Sequence, residues 1–289
     1  MIYLILDTNN WIYLANNQDP FNDNKDGKYK DNKNEKLHFK TLERLNEYIN
    51  STAVVLLVCD VVIEEWERNK SKTNQYIEKL ENTMRVQRDT IKAIWDNLDD
   101  ADKSILKSLF EKYIEKVNLK IEKNKDHIYK VEQLIFKSQK YQISDKTKIL
   151  AAERAYNKKA PFIGDKSNSM ADAYILFGAI EYLEESFKNR DLITYPTFIF
   201  ISGNKGDFSS NSNPNMIHED LKDSLAKVNL QFFRSLHVAL NDLVESKVFE
   251  LFEIWEIERH LNYCEEEEQN CNNTEFGMLD SEFCFDIEM

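Results

Sequence analysis

Three short runs of apolar residues, far apart in the chain, constrain its fold more than any other feature. They are Ile-Tyr-Leu-Ile-Leu at 2–6, Ala-Val-Val-Leu-Leu-Val-Cys at 53–59 and Thr-Phe-Ile-Phe-Ile at 197–201. A strand with one wet face alternates polar and apolar side chains, whereas a continuous run of this length suits a strand buried on both faces, as in a parallel sheet. Between the runs the spacing of apolar residues is helical. Strands that alternate with helices give a parallel sheet covered on both sides. Six glycines and four prolines in 289 residues leave too few turn formers for a loop-rich all-β chain, so most of the chain is expected to be helical.

Trp11, Ile12 and Leu14 begin a helical pattern after the first run. Residues 18–34, rich in Asn, Asp, Lys and Gly, read as a solvated loop, and helical spacing resumes over 41–50. From 61 to about 156 the chain has neither Pro nor Gly, which predicts two or three long helices inserted in the domain at about 68–158. Breaks are expected near 99–103, where Asp-Asp-Ala-Asp can start a helix, and near Ser144 and Asp145. Ser169 precedes a predicted helix over 170–187. Residues 230–233 are a candidate strand, and 235–260 read as helix. We expect a domain over 1–263 and a weakly ordered acidic tail over 264–289.

A net charge of −13 argues against a polyanionic partner, because nucleic-acid binding relies on neutralised phosphates. Its distribution changes that conclusion. Residues 240–289 hold 15 Asp and Glu against 2 Lys and Arg, and the preceding 239 hold 36 of each sign. Within them, residues 101–160 hold 15 basic against 8 acidic side chains, a local surplus able to meet a phosphate backbone. The acidic tail could compete for that surplus as a nucleic-acid mimic; nucleic-acid affinity unchanged on deleting 264–289 would remove the idea. Cys59, Cys264, Cys271 and Cys284 form no CxxC pair, which speaks against structural zinc. Asp7, Asn9 and Asn10 interrupt the apolar start, and no run of about 18 apolar residues exists to span a bilayer. A cytoplasmic protein without membrane contact is the expectation.

Acidic residues recur where a parallel sheet would gather them. Asp7 directly follows the first run, in Leu6-Asp7-Thr8-Asn9-Asn10-Trp11. Glu64 and Glu65 lie early in the helix after the second, in Val61-Val62-Ile63-Glu64-Glu65-Trp66. Asp172 falls in the first turn of an apolar helix, where the helix dipole favours an anion, and Asp207 closes Ser202-Gly203-Asn204-Lys205-Gly206-Asp207-Phe208. Ligands in such sheets sit beyond the carboxyl ends of the strands. Two unit charges about 4 Å apart repel by about 4 kcal/mol at an effective dielectric near 20, so clustered ionised carboxylates require a cation. Mg²⁺ or Mn²⁺ fits, since hard ions take oxygen ligands and keep waters free for chemistry.

These residues resemble the PIN-domain nuclease family, in the large bacterial PIN-like branch with a helical insert. Leu4-Ile5-Leu6-Asp7-Thr8-Asn9 looks like its opening motif. Val61 to Trp66 is similar to the second, with Glu65 the closer match and Glu64 its rival. Ala171-Asp172-Ala173-Tyr174-Ile175-Leu176 resembles the third, and Phe200 through Phe208 the fourth, with Asn204 where many members carry a first Asp. The likeness covers about 1–70 and 160–245. It implies a three-layer α/β/α sandwich with a central, mostly parallel sheet and a long helical insertion. It also implies a metal-dependent endoribonuclease with Asp7, Glu65, Asp172 and Asp207 as catalytic and metal-binding residues, in toxin/antitoxin or phage-defence systems. The RNA preference comes from this likeness alone. An inhibitor or defence-system partner protein and self-association belong to the same expectation.

Ser202 and Thr8 carry hydroxyls suited to supporting contacts, Asn9 and Asn204 amides, and Lys70 and Lys166 charges that can hold a phosphate; solvated lysine is the simpler description of the last two. A PIN module that binds RNA or protein without cutting is a rival reading, opposed by the presence of all four acids. A phosphatase of the haloacid dehalogenase type would require Asp-x-Asp, and the third place here is Asn9. Cleavage of DNA, including flaps, stays open.

Overall fold

The computed structural model describes residues 1–16, 33–95, 97–163, 169–188, 196–241 and 246. The chain divides into a compact unit Met1–Asp242 and a second, Leu243–Met289, and the architecture below is that of the first. The predicted 18–34 loop lies outside the described residues but for its last two, which belong to a helix. Also outside are Lys166, the 264–289 tail and most of the predicted 235–260 helix.

The predicted runs are strands β1 (Ile2–Leu6), β2 (Val54–Cys59) and β4 (Thr197–Ile201). A short β3 (Gln139–Tyr141) and β5 (Leu230–Phe233) complete a five-stranded sheet in the order β3-β2-β1-β4-β5. Every pairing is parallel. Central β1 is buried along its whole length, which is why its sequence carries no polar alternation.

From β1 the chain passes through α1 (Thr8–Asn16) and α2 (Lys33–Asn50) to β2 on one side, and later returns to β4 on the other. The topological switch point therefore lies between β1 and β4, where Leu6 is in register with Ile201. A crevice opens at the carboxyl ends of strands at such a point, because the connections diverge to opposite sides.

After β2 come α3 (Asp60–Asn69), a 3₁₀ turn (Lys70–Asn74), α4 (Gln75–Trp95) and α5 (Asp100–Lys137), about 57 Å long at 1.5 Å per residue. Asp99 caps α5 by accepting from the Asp102 N–H, and Ser144 caps α6 (Asp145–Tyr156) by accepting from that of Thr147, both at the predicted breaks. Ile77, Val117 and Ile121 form a small core between α4 and α5. Further along α5, Val131 and Ile135 are fully buried, and His127 Nε2 contacts the Leu14 carbonyl at 2.7 Å. Trp66, also fully buried, donates through Nε1 to Glu132 at 3.1 Å.

The region read as two or three helices with breaks near 99–103 and 144–145 also contains β3, which pairs with β2 from Leu57↔Gln139 to Cys59↔Tyr141. Gln139 and Lys140 are exposed, so this edge strand leaves no apolar run to detect. Its Tyr141 hydroxyl donates to the Ile175 carbonyl at 2.8 Å, tying β3 to α7 (Met170–Phe187). Short α8 (Lys205–Phe208) follows β4, and α9 (Glu219–Ala226) and α10 (Leu236–Ala239) flank β5. The unit is thus a parallel sheet between helices with a long helical insertion, an α/β/α sandwich. No helix among the described residues is long and apolar enough to cross a membrane.

Candidate active site

Asp7 ends β1 at the switch point and is completely buried. It caps α1: Oδ1 accepts from the Asn10 backbone N–H at 2.8 Å and from Asn10 Nδ2 at 2.7 Å. That Nδ2 also donates to the Ile201 carbonyl at 3.2 Å, joining the ends of β1 and β4. Asp7 Oδ2 accepts from the Ser202 hydroxyl, and Ser202 Oγ accepts from the Asn204 N–H at 3.1 Å.

The other acids come from elements that start beside this edge. Glu65 lies on α3, held by the Thr8 hydroxyl donating to Oε2 at 2.6 Å. Asp172 lies in the first turn of α7. Asp207, on α8, is 1% exposed. The Asn204 side-chain amide donates both to Asp172 Oδ2, at 3.0 Å, and to Asp207 Oδ2.

Glu65, Asp172, Asn204 and Asp207 line a cavity of about 220 Å³ together with Thr8, Asn9, Asn69, Ile12 and Ala171. No lysine or arginine is among its described lining residues. Burial pushes the Asp7 carboxyl up, against the pull of the Ser202 and Asn10 hydrogen bonds, and the Glu65 charge adds to the rise. Asp172 is pushed up to about 8, first by burial and then by the charges of Asp7 and Asp207, with Glu65 contributing. Burial and this repulsion favour a proton on Asp172, in a cleft whose described lining holds no cation.

Glu65, Asp172 and Asp207 thus share one cleft, and Asp7 is coupled to them electrostatically. Asn9 reaches the lining. Glu64 is exposed and outside it. Lys70 is also outside the lining, its ammonium 2.7 Å from Glu67 and 3.7 Å from Glu132. Sequence reasoning missed Asn10 and Asn69. An Asn three residues after an N-cap Asp is a readable sign for Asn10; Asn69 could have been found one helical turn beyond Glu65.

Among the described residues, no three acidic, histidine or cysteine side chains stand close enough to close a metal site. The Asn204 amide bridges Asp172 and Asp207 instead. The donor chemistry nevertheless fits a hard divalent ion: carboxylate oxygens, a hydroxyl, and an amide that presents oxygen in place of nitrogen after a half-turn.

The fold and site define an α/β/α protein with a carboxylate cluster in the crevice at its switch point. A family model described as PIN domain matches residues 4–208, and the chain belongs to this nuclease family. No curated protein and no solved structure matches the chain.

Proposed function

We propose that this protein is a metal-dependent endoribonuclease, with Asp7, Glu65, Asp172 and Asp207 as its catalytic and metal-holding residues and Mg²⁺ or Mn²⁺ as its ion. One observation carries the reading: three of these acids line a single cleft without a described cation, and the fourth, buried beside it, raises the proton affinity of Asp172. When bound, the ion supplies an activated water and neutralises charge on the phosphoryl oxygens. The chain's own residues prepare that chemistry. Asn10 and Ser202 hold Asp7 in one orientation, Thr8 holds Glu65, and Asn204 holds Asp172 and Asp207 together. Side chains fixed beforehand spare the transition state the cost of ordering them.

The choice of RNA rests on the family likeness, as does a cytoplasmic toxin or phage-defence role with an inhibitor protein or self-association. Growth arrest on induced expression that requires Asp7 tests the toxin role. The catalytic unit is assigned to 1–263, so a chain ending there should keep metal-dependent cleavage. The deciding experiment incubates wild type and Asp7→Asn with total RNA and Mn²⁺ or Mg²⁺, with and without EDTA. Cleavage should need both the acid and the free ion and fall at least a hundredfold without either. Cutting that persists in the variant or the chelator rejects the mechanism, and cleavage of DNA alone reassigns the substrate.

A further inference from the structure

A cleft lined by acids repels the polyanion it is to bind, and the resident cation of the proposed reaction answers only for the phosphate being cut. The neighbouring phosphates need a positive group at the mouth. Lys70 is committed to Glu67 and Glu132. Lys72, two residues on in the same 3₁₀ turn, is placed differently. It is exposed, and its Nζ donates at 2.7 Å to Oδ1 of Asn69, which lines the cleft. The Asn69 amide is itself fixed, since Nδ2 donates to the Glu65 carbonyl at 2.8 Å. A neutral acceptor orients an ammonium without cancelling its charge, and among the described residues Lys72 has no carboxylate partner. Lys205 follows Asn204 in the chain, but no hydrogen bond among the described residues ties its ammonium to a lining side chain.

We propose that Lys72, aimed by Asn69, is the substrate-binding cation of this site, contacting a backbone phosphate next to the scissile one. The proposal rests on the nuclease reading and adds a specificity element to it. Lysine binds phosphate as a point charge on a flexible stem and reads no base. Lys72 therefore contributes affinity for any strand that the cleft accepts.

The test measures cleavage kinetics in Mn²⁺ on a short labelled single-stranded RNA, and on the same sequence as DNA, over a range of KCl concentrations. Wild type is compared with Lys72→Gln, Lys72→Arg, and Lys92→Gln, a charge-matched control at an exposed position of α4. Lys72→Gln is expected to raise KM about tenfold at low salt with kcat within about twofold. The slope of log(kcat/KM) against log salt should shrink by about one. Lys72→Arg should restore most of the affinity, and Lys92→Gln should match wild type. Lys72→Gln with the wild-type KM and salt slope, or a loss equal to that of Lys92→Gln, overturns the proposal and leaves the nuclease reading intact. A wild type that cuts neither strand overturns both.

Discussion

Asn10 does three things with one side chain and one backbone N–H: it fills Asp7 Oδ1 twice and closes the gap to the Ile201 carbonyl. Asn10→Ala keeps the backbone bond and loses the other two inside a buried site. It should destabilise by about 2 kcal/mol, seen as a fall in Tm of roughly 4–8 °C for a domain this size. An unchanged Tm would mean that the amide is dispensable. Asp172 gives the pH signature. Its folded carboxyl titrates near 8, far above the ordinary 3.8, so the folded state holds a proton that the unfolded chain has already released. Stability of the metal-free protein must then be greatest below about pH 4 as far as this group is concerned, fall as pH rises, and level off above about 8. Buried Asp7, also shifted upward, acts in the same direction. Asp172→Asn should flatten the fall between pH 5 and 8 in thermal melts with EDTA; a variant whose melts keep the wild-type slope contradicts this assignment. Asp7 was legible because an acid directly after five apolar strand residues has few surface explanations. Asn69 and Lys72 were not, since their relation to the cleft depends on how α3 runs into the 3₁₀ turn.

Among the elements, α5 has two dissimilar halves. Val131 and Ile135 are sealed into the sandwich, whereas Ile105 and Leu109 are each 59% exposed. Ile135→Ala should cost about 2–5 kcal/mol and Leu109→Ala within about 0.5 kcal/mol, by chemical denaturation. Equal losses would show that the exposed half is cohesive with the core. The sequence made the ends of α5 and α6 readable through Asp99 and Ser144, whose caps are local chemistry. It did not reveal β3, because Gln139 and Lys140 face solvent and only pairing with β2 makes them a strand. The start of α2 was also missed: its first turn, Lys33 to Lys36, is wholly polar and continues the polar stretch before it, and helical spacing was read only from 41 onward. A cap is written in neighbouring residues, whereas an edge pairing such as β3 with β2 is not.

For the whole molecule, parallel pairing throughout explains why acids separated by as many as 200 positions come to one edge. The helix order and the three apolar runs were enough to anticipate that gathering, although not the Asn204 bridge at its centre. On the proposed metal-dependent reading, binding of the ion should stabilise the folded protein. Mn²⁺ at about a hundred times its dissociation constant should add about 2.7 kcal/mol, raising Tm by roughly 5–11 °C at pH 8. Asp207→Asn should lose most of that gain, and an equal rise in both proteins would place the ion elsewhere.

The direction of the strands has a practical side. Met1 precedes β1 and is half exposed, and its carbonyl accepts from the Thr197 N–H at the start of β4, so it marks the rim opposite the carboxylates. A dye or surface linker joined there leaves the Met1–Asp242 unit at the sheet edge opposite the cleft.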